Sequence, residues 1–189
     1  DLNIEGSSSR GPARDGRLKP DITAHGAGQG SLGSNNDYQP FGGTSAAAPG
    51  VVGCLAQLSQ AFQTFHNGQP APAALLKAAL LNTANELGNP GPDFKFGWGL
   101  VNAGQALQIF ERQQWVTGTV DQGEETVHTL QIPSNTLSAR LMIVWADPSA
   151  EAGTQRALLN DLDLRATTED GMSYLPWKLD PTPDEATLD

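Results

Sequence analysis

The sequence has almost no cysteine, little positive charge and no long apolar run. Cys54 is the only cysteine in 189 residues, which excludes an internal disulfide and a thiolate metal site. The 11 Lys and Arg face 21 Asp and Glu, and the formal net charge of −10 argues against nucleic acid or an anionic membrane as a partner. No apolar run reaches the roughly 18 residues of a membrane-spanning helix. These absences favour a globular chain with a soluble surface.

An initiator methionine and a signal sequence are also lacking, because the chain begins at Asp1. We therefore expect a processed or partial chain. The 21 Gly and 13 Pro are typical of a globular protein that is rich in loops and turns.

Three helices are predicted in the first 113 residues. The run "TSAAAPGVVGCLAQLSQAF" predicts a helix from Thr44 to about Phe65, and its small and apolar residues on nearly every face predict that it is buried. "AALLKAALLNTANEL" predicts a second helix over 73–87, and "LVNAGQALQIF" a third over 100–110, capped near Asn102. The glycine and proline loop "GNPGPDFKFGWG" separates the last two.

After Trp115 the sequence changes character. "WVTGTV", "TVHTLQI", "ARLMIVWA" and "LDLRATT" are short runs rich in β-branched and apolar residues, and turn residues separate them. This pattern predicts strands of an antiparallel sandwich or barrel. We place a domain boundary near residues 113–116, which divides the chain into 1–113 and 115–189.

Two glycines bring a Thr-Ser pair to the start of the first helix, in "FGGTSAAAPG". The first N–H groups of a helix are unpaired and carry partial positive charge, so Ser45 could act as a nucleophile whose own N–H stabilises an oxyanion. The structural alternative is that Thr44 or Ser45 only caps the helix. The spacing alone leaves both open.

Several separated blocks in residues 1–113 resemble the subtilisin-like serine proteases, or subtilases. They are "SSSRGPARDGRLKPDITAHG", "FGGTSAAAP", "NTA" and "FGWGLVNAGQAL", in the order of the family. The family block Gly-Thr-Ser-x-Ala-x-Pro is matched by Gly43, Thr44, Ser45, Ala47 and Pro49. The upstream block is matched by Ser7, Arg10, Gly11, Pro12, Asp15, Gly16, Lys19, Pro20 and Asp21. The chain departs from the usual Ala-Pro-Gly at Ala24-His25-Gly26.

The resemblance implies an α/β fold in which residues 1–113 are the C-terminal portion of a three-layer parallel-sheet catalytic domain. "LLNDLDL" and "YLPWKLDP" look like the start of the β-sandwich that follows this domain in some bacterial subtilases, so we expect an incomplete antiparallel, jelly-roll-like sandwich over 115–189. The implied activity is hydrolysis of protein or peptide substrates through an acyl-enzyme on Ser45, without a cofactor. The backbone of Gly43, Thr44 and Ser45 would support the oxyanion. Secretion is implied by the same resemblance.

The general base and its carboxylate partner are expected to lie outside this chain. Asp15 or Asp21, then His25, then Ser45 has the subtilase order of Asp, His and Ser. However, the family places its Asp and His well upstream of this region, and His25 stands at the usual proline position. We therefore reject this triad and expect the base, the carboxylate and an Asn oxyanion donor in a missing N-terminal part. Without them, the 189 residues alone should not hydrolyse peptides.

Three further possibilities come from the sequence. Asp161 and Asp163 share a face of a predicted strand and could hold a structural calcium ion, although a hydrogen-bonding role is favoured. An α/β-hydrolase elbow is disfavoured because "SNNDYQPFG", before the serine, is polar. A degenerate subtilase that acts as a non-catalytic binding or scaffold module is the remaining alternative, and the intact block around Ser45 argues against it.

Overall fold

The computed structural model describes residues 4–182, in which three helices and two small antiparallel sheets are formed. The remaining residues of the predicted domains 1–113 and 115–189, which are 1–3 and 183–189, lie outside the described part. The elements in chain order are β1 (Gln29–Leu32), β2 (Tyr38–Phe41), α1 (Thr44–Phe65), α2 (Ala73–Asn82), α3 (Ala103–Glu111), β3 (Ala166–Thr167) and β4 (Ser173–Tyr174). Helices and strands together are compatible with the predicted α/β class.

The core lies between the three helices. Its buried members come from one face of each helix and are Leu58, Phe62, Leu75, Ala79, Leu80, Ala106 and Phe110. The ring of Phe110 is 1% exposed and meets Phe62 edge to face, with ring centroids 5.4 Å apart. Burial of a phenylalanine side chain stabilises a fold by about 1.5–3 kcal/mol. The C-terminal half of α1 is therefore held firmly against α3.

The predicted helices all form, with one change of length. α1 has the predicted bounds, and Asn102 caps α3 by accepting a hydrogen bond from the N–H of Gln105 at 3.0 Å. α2 ends at Asn82 and not near residue 87. The reason is tertiary, because Asn85 pairs its N–H and its carbonyl with Leu100, both at 2.8 Å. Those bonds are incompatible with a continued helix.

The prediction that α1 is buried on every face is wrong for its N-terminal half. Ala46 is buried near the start, whereas Val52 is 61% exposed and Gly50 and Gly53 are exposed as well. Within residues 4–182, α2 and α3 cover only the side of α1 that carries Leu58 and Phe62. The small and apolar composition of α1 thus describes a helix with more apolar surface than these neighbours cover.

A hairpin and a short patch of backbone pairing precede and support α1. β1 and β2 pair antiparallel, with Gln29 opposite Phe41, and β2 leads directly into α1. Thr23 pairs in parallel with Leu100, which in turn pairs with Asn85. In residues 4–182 this is the only parallel pairing, so no parallel-sheet layer is formed there.

The antiparallel sandwich predicted for 115–189 is not confirmed. Within the described residues of this region, the only ladder is the two-residue pair of β3 and β4. Of the four runs that predicted strands, only "LDLRATT" contributes to this ladder, through β3. In the described residues the other three runs have no ladder partner, and apolar side chains on them are exposed, such as Val127 at 79%. Alternating apolar residues specify a strand only when a neighbouring strand is available to pair with it.

Among the described residues, no helix combines the length and the apolar character that are needed to cross a bilayer.

Candidate active site

Ser45 is the second residue of α1 and its side chain is exposed. In the described part of the chain, its hydroxyl makes no hydrogen bond. The main chain reaches this position through Gly43, whose φ of 81° is in the left-handed region that favours glycine. The hydroxyl is therefore open to a ligand at the start of a 22-residue helix.

The structure contradicts the alternative in which Thr44 or Ser45 caps α1. The N-cap is Gly43, and no side chain makes a capping hydrogen bond. The carbonyl of Gly43 accepts from the N–H groups of Ala46 at 3.0 Å and Ala47 at 3.2 Å. The N–H groups of Thr44 and Ser45 have no acceptor in residues 4–182. A helix N-terminus with free N–H groups attracts negative charge.

Gly26 allows the main chain at Gly43, two residues before Ser45, to pack closely against it. A Cβ atom on Gly26 would lie 2.5 Å from the carbonyl oxygen of Gly43 and 3.4 Å from the Cβ of Ala47. Only glycine fits at this contact. Sequence reasoning missed this role, although the glycine that ends the resembling Ala24-His25-Gly26 stretch was the signal that could have indicated it.

A cavity of about 330 Å³ adjoins the start of α1. Its wall includes Glu5, Phe41 and four glycines, which are Gly26, Gly28, Gly42 and Gly43. The cavity reaches Gly43, the N-cap of α1, and neither Thr44 nor Ser45 lines it. The sequence motifs did not reveal Glu5 or Phe41 as cavity residues, since their approach depends on the tertiary fold.

A larger cavity, about 520 Å³, lies at the opposite end of α1 against Phe65, His66 and Trp115. Phe65 follows Ser45 by 20 residues in the same helix, which is roughly 30 Å along the axis. This cavity cannot serve chemistry at Ser45.

The residues that mimic a triad in chain order are engaged elsewhere. The Nδ1 atom of His25 lies 3.4 Å from Nε2 of Gln29. Asp15 pairs with Arg17 at 2.7 Å, and Asp21 pairs with Lys19 at 2.5 Å. In the described residues, neither carboxylate bonds His25, and His25 does not bond Ser45. The arrangement agrees with our rejection of this triad.

Asp15 has a structural role instead. Burial of the Asp15 carboxyl would raise its pKa, but hydrogen bonds from the Arg17 side chain and the Ala157 N–H outweigh this effect and lower it. The Asp15 carboxylate thus stays charged, and it connects the segment before β1 to Ala157.

Asp161 and Asp163 do not lie in a strand, and Asp161 accepts from Arg156 at 2.6 Å. The described residues contain no group of three or more His, Cys, Asp or Glu that could hold a metal ion. Nearby, Asp147 accepts from the N–H of Leu159 at 2.6 Å. That bond is the largest of the influences that lower the pKa of Asp147. Calcium binding by Asp161 and Asp163 stays a prediction.

An exposed serine, glycines on its N-terminal side and free N–H groups at a helix start define a site that suits acyl transfer. The comparison with known families agrees: residues 2–99, about half of the chain, match the Subtilase family of peptidase S8 type. The chain belongs to the subtilase family.

Matches to three curated relatives show that this chain corresponds to a small part of each of those proteins. The chain is 43% identical over 65 residues to the autotransporter lipoprotein NalP of Neisseria meningitidis, a match that covers 34% of this chain. It is 39% identical over 79 residues to an extracellular serine protease of Serratia marcescens, covering 42% of this chain. It is 41% identical over 88 residues to alkaline elastase YaB of Bacillus sp., covering 47% of this chain. The matches span 6%, 7% and 21% of these relatives.

Among solved structures, a lanthipeptide protease is 35% identical, with a TM-score of 0.36, and the match covers 39% of this chain and 22% of the other. The psychrophilic subtilisin-like protease Apa1 from an Antarctic Pseudoalteromonas is 32% identical, with a TM-score of 0.34. That match covers 41% of this chain and 16% of the protease.

Proposed function

We propose that the chain carries the nucleophile of a serine endopeptidase and that Ser45 attacks the carbonyl carbon of the scissile peptide bond. The observation that carries this proposal is the exposed Ser45 hydroxyl at the free N-terminus of α1. Family membership supports a function of the serine-protease type.

Attack by the Ser45 oxygen on the carbonyl carbon places negative charge on the carbonyl oxygen. The N–H of Ser45 has no acceptor in residues 4–182, so it is available to donate to that oxyanion. Gly43 and Thr44 hold this N–H at the helix start. The base that took the proton of the Ser45 hydroxyl returns it to the leaving nitrogen, so that collapse of the tetrahedral intermediate expels the amine and leaves an acyl-enzyme on Ser45. Water then hydrolyses this ester.

A hydroxyl needs a base to accept its proton, and no histidine in residues 4–182 bonds to Ser45. We propose that the histidine, its orienting carboxylate and a further oxyanion donor come from a segment other than these 189 residues. The chain alone should then be inactive, because members of a catalytic triad act as a unit.

Protein or peptide substrates follow from this chemistry, and the cavity beside Gly43 gives room for a substrate residue next to the scissile bond. We also propose that the enzyme acts outside the cell, which the Serratia relative, an extracellular serine protease, supports. No cofactor is needed for the proposed steps.

Substitution of the nucleophile in the full product of the gene that encodes this chain tests the proposal. Ser45→Ala should lower kcat for peptide hydrolysis by about a thousandfold or more, because it removes the attacking oxygen. Ser59→Ala, a serine on the same helix away from its N-terminus, is the matched control and should keep nearly full activity.

Activity that survives Ser45→Ala would contradict the proposal. If neither the unsubstituted gene product nor the control hydrolyses peptides, the result would favour the scaffold alternative, in which Ser45 has no catalytic role.

A further inference from the structure

Arg140 joins the C-terminal region, residues 116–182, to the end of α2. Its Nη1 atom donates to the carbonyl oxygen of Ala84 at 2.9 Å, and the side chain of Asn82 donates back to the carbonyl oxygen of Arg140 at 3.3 Å. α2 has no basic residue in its last turn. The guanidinium of Arg140 therefore supplies the positive charge that stabilises a helix C-terminus.

Backbone pairing begins directly after the carbonyl that Arg140 binds. Ala84, which is 2% exposed, leads into Asn85, whose N–H and carbonyl both bond Leu100 at 2.8 Å. On the other side of Leu100, the N–H of Thr23 donates to Gly99 and its carbonyl accepts from Val101, both at 2.9 Å. Ala84 and Thr23 are thus held in one hydrogen-bonded unit.

The segment that contains Thr23 also contacts the start of α1, close to Ser45. Three residues after Thr23, Gly26 contacts the carbonyl of Gly43 without space for a Cβ atom. Gly43 is the N-cap of α1, and Ser45 is two residues further on. The backbone pairing of Asn85, Leu100 and Thr23 is therefore connected to the start of α1 by a contact that leaves no free space.

We infer that Arg140 is a positioning residue that lets the C-terminal region hold the main chain in front of Ser45. The inference rests on the proposed function of Ser45. Arg140 itself does not touch the candidate active site. Arg140 fixes the end of α2, and the backbone pairing from Asn85 to Thr23 fixes the segment that leads to Gly26. Gly26 then sets the position of Gly43 through the close contact between them. The C-terminal region is in this way part of what orients the nucleophile.

Arg140→Ala in the full gene product tests the inference by two independent readouts. Loss of a hydrogen bond from a charged donor should speed amide hydrogen exchange at Asn85, Leu100 and Val101 by roughly tenfold. The value of kcat should fall by about tenfold while KM stays within about twofold, because orientation of the nucleophile changes and substrate binding does not. Added guanidinium ion, far below unfolding concentrations, should restore part of kcat.

Trp177→Ala is the matched control, because it removes a different contact of the C-terminal region. The Trp177 ring lies against Gly91, where a Cβ atom would be 3.0 Å from the ring. This variant should leave exchange at Asn85 and kcat unchanged. Arg140→Lys keeps a positive charge at the helix end and should lower kcat and speed exchange less than Arg140→Ala does. It replaces Arg140→Ala as the test variant if the alanine variant fails to fold.

Unchanged exchange at Asn85 and Leu100 in Arg140→Ala would overturn the inference, as would an equal loss of kcat in Trp177→Ala. The proposed function fails separately, by absence of hydrolysis in the unsubstituted gene product. In that case the exchange measurements still decide whether Arg140 holds the pairing, and unchanged exchange would again overturn it.

Discussion

At the scale of single residues, the contact between Gly26 and Gly43 determines where the candidate nucleophile lies. Gly43 turns the chain into α1 with a φ of 81°, and Gly26 allows its carbonyl to approach. Both positions depend on the absence of a side chain. The sequence indicated Gly43 through its motif. The stretch Ala24-His25-Gly26 gave a signal for Gly26 as well, but the contact that requires this glycine joins segments 17 residues apart and is evident only in the fold.

Gly26→Ala should disturb the helix start, because the added methyl would lie 2.5 Å from the Gly43 carbonyl oxygen. Relief of such overlap typically costs about 1–3 kcal/mol. We expect this loss in the free energy of unfolding, measured by urea denaturation.

Gly30→Ala is the control for that experiment. Gly30 lies in β1, where an added Cβ atom meets nothing within 4 Å. Equal stability of the Gly26 and Gly30 variants would show that the contact does not constrain the chain as described.

At the scale of helices and strands, sequence patterns predicted helix bounds and caps correctly where interactions between neighbours in sequence determine them. The bounds of α1 and the cap of α3 followed from composition and from Asn102, since both depend on neighbours in sequence. The end of α2 did not follow, because Leu100 recruits Asn85 into a backbone pair. The exposure of Val52 depends on which elements pack against α1 and not on the composition of α1 itself.

Asn102→Ala should destabilise α3 by about 1 kcal/mol, the usual cost of losing an N-cap acceptor. The Asn102 side chain also donates to Asn85 Oδ1 at 3.0 Å. Urea denaturation of the two variants Asn102→Ala and Asn102→Asp separates these roles.

Asn102→Asp keeps an acceptor for the N–H of Gln105 and removes only the donor to Asn85. It should therefore retain most of the stability that Asn102→Ala loses. If the alanine variant were as stable as the unsubstituted chain, the capping bond would have no energetic role.

At the scale of the whole molecule, the two parts of the chain differ in how fully their apolar surface is covered. Residues 4–113 contain the buried core, whereas apolar side chains in the C-terminal region, such as Leu130 at 51% and Ile132 at 55%, are exposed. The run "TVHTLQI" predicted a strand of a sandwich, and no strand is formed there. A strand in a sandwich needs neighbouring strands to pair with, and a local sequence pattern does not specify them.

The central claim is that Ser45 is the nucleophile and depends on a base from outside these 189 residues. Labelling with a serine-directed phosphonate, read by mass spectrometry of the modified peptide, tests it most directly. We predict modification of Ser45 in the full product of the gene and almost none in the isolated 189-residue chain, because an unassisted hydroxyl is a poor nucleophile. Strong labelling of Ser45 in the isolated chain, or labelling of a different serine in the full product, would contradict the account.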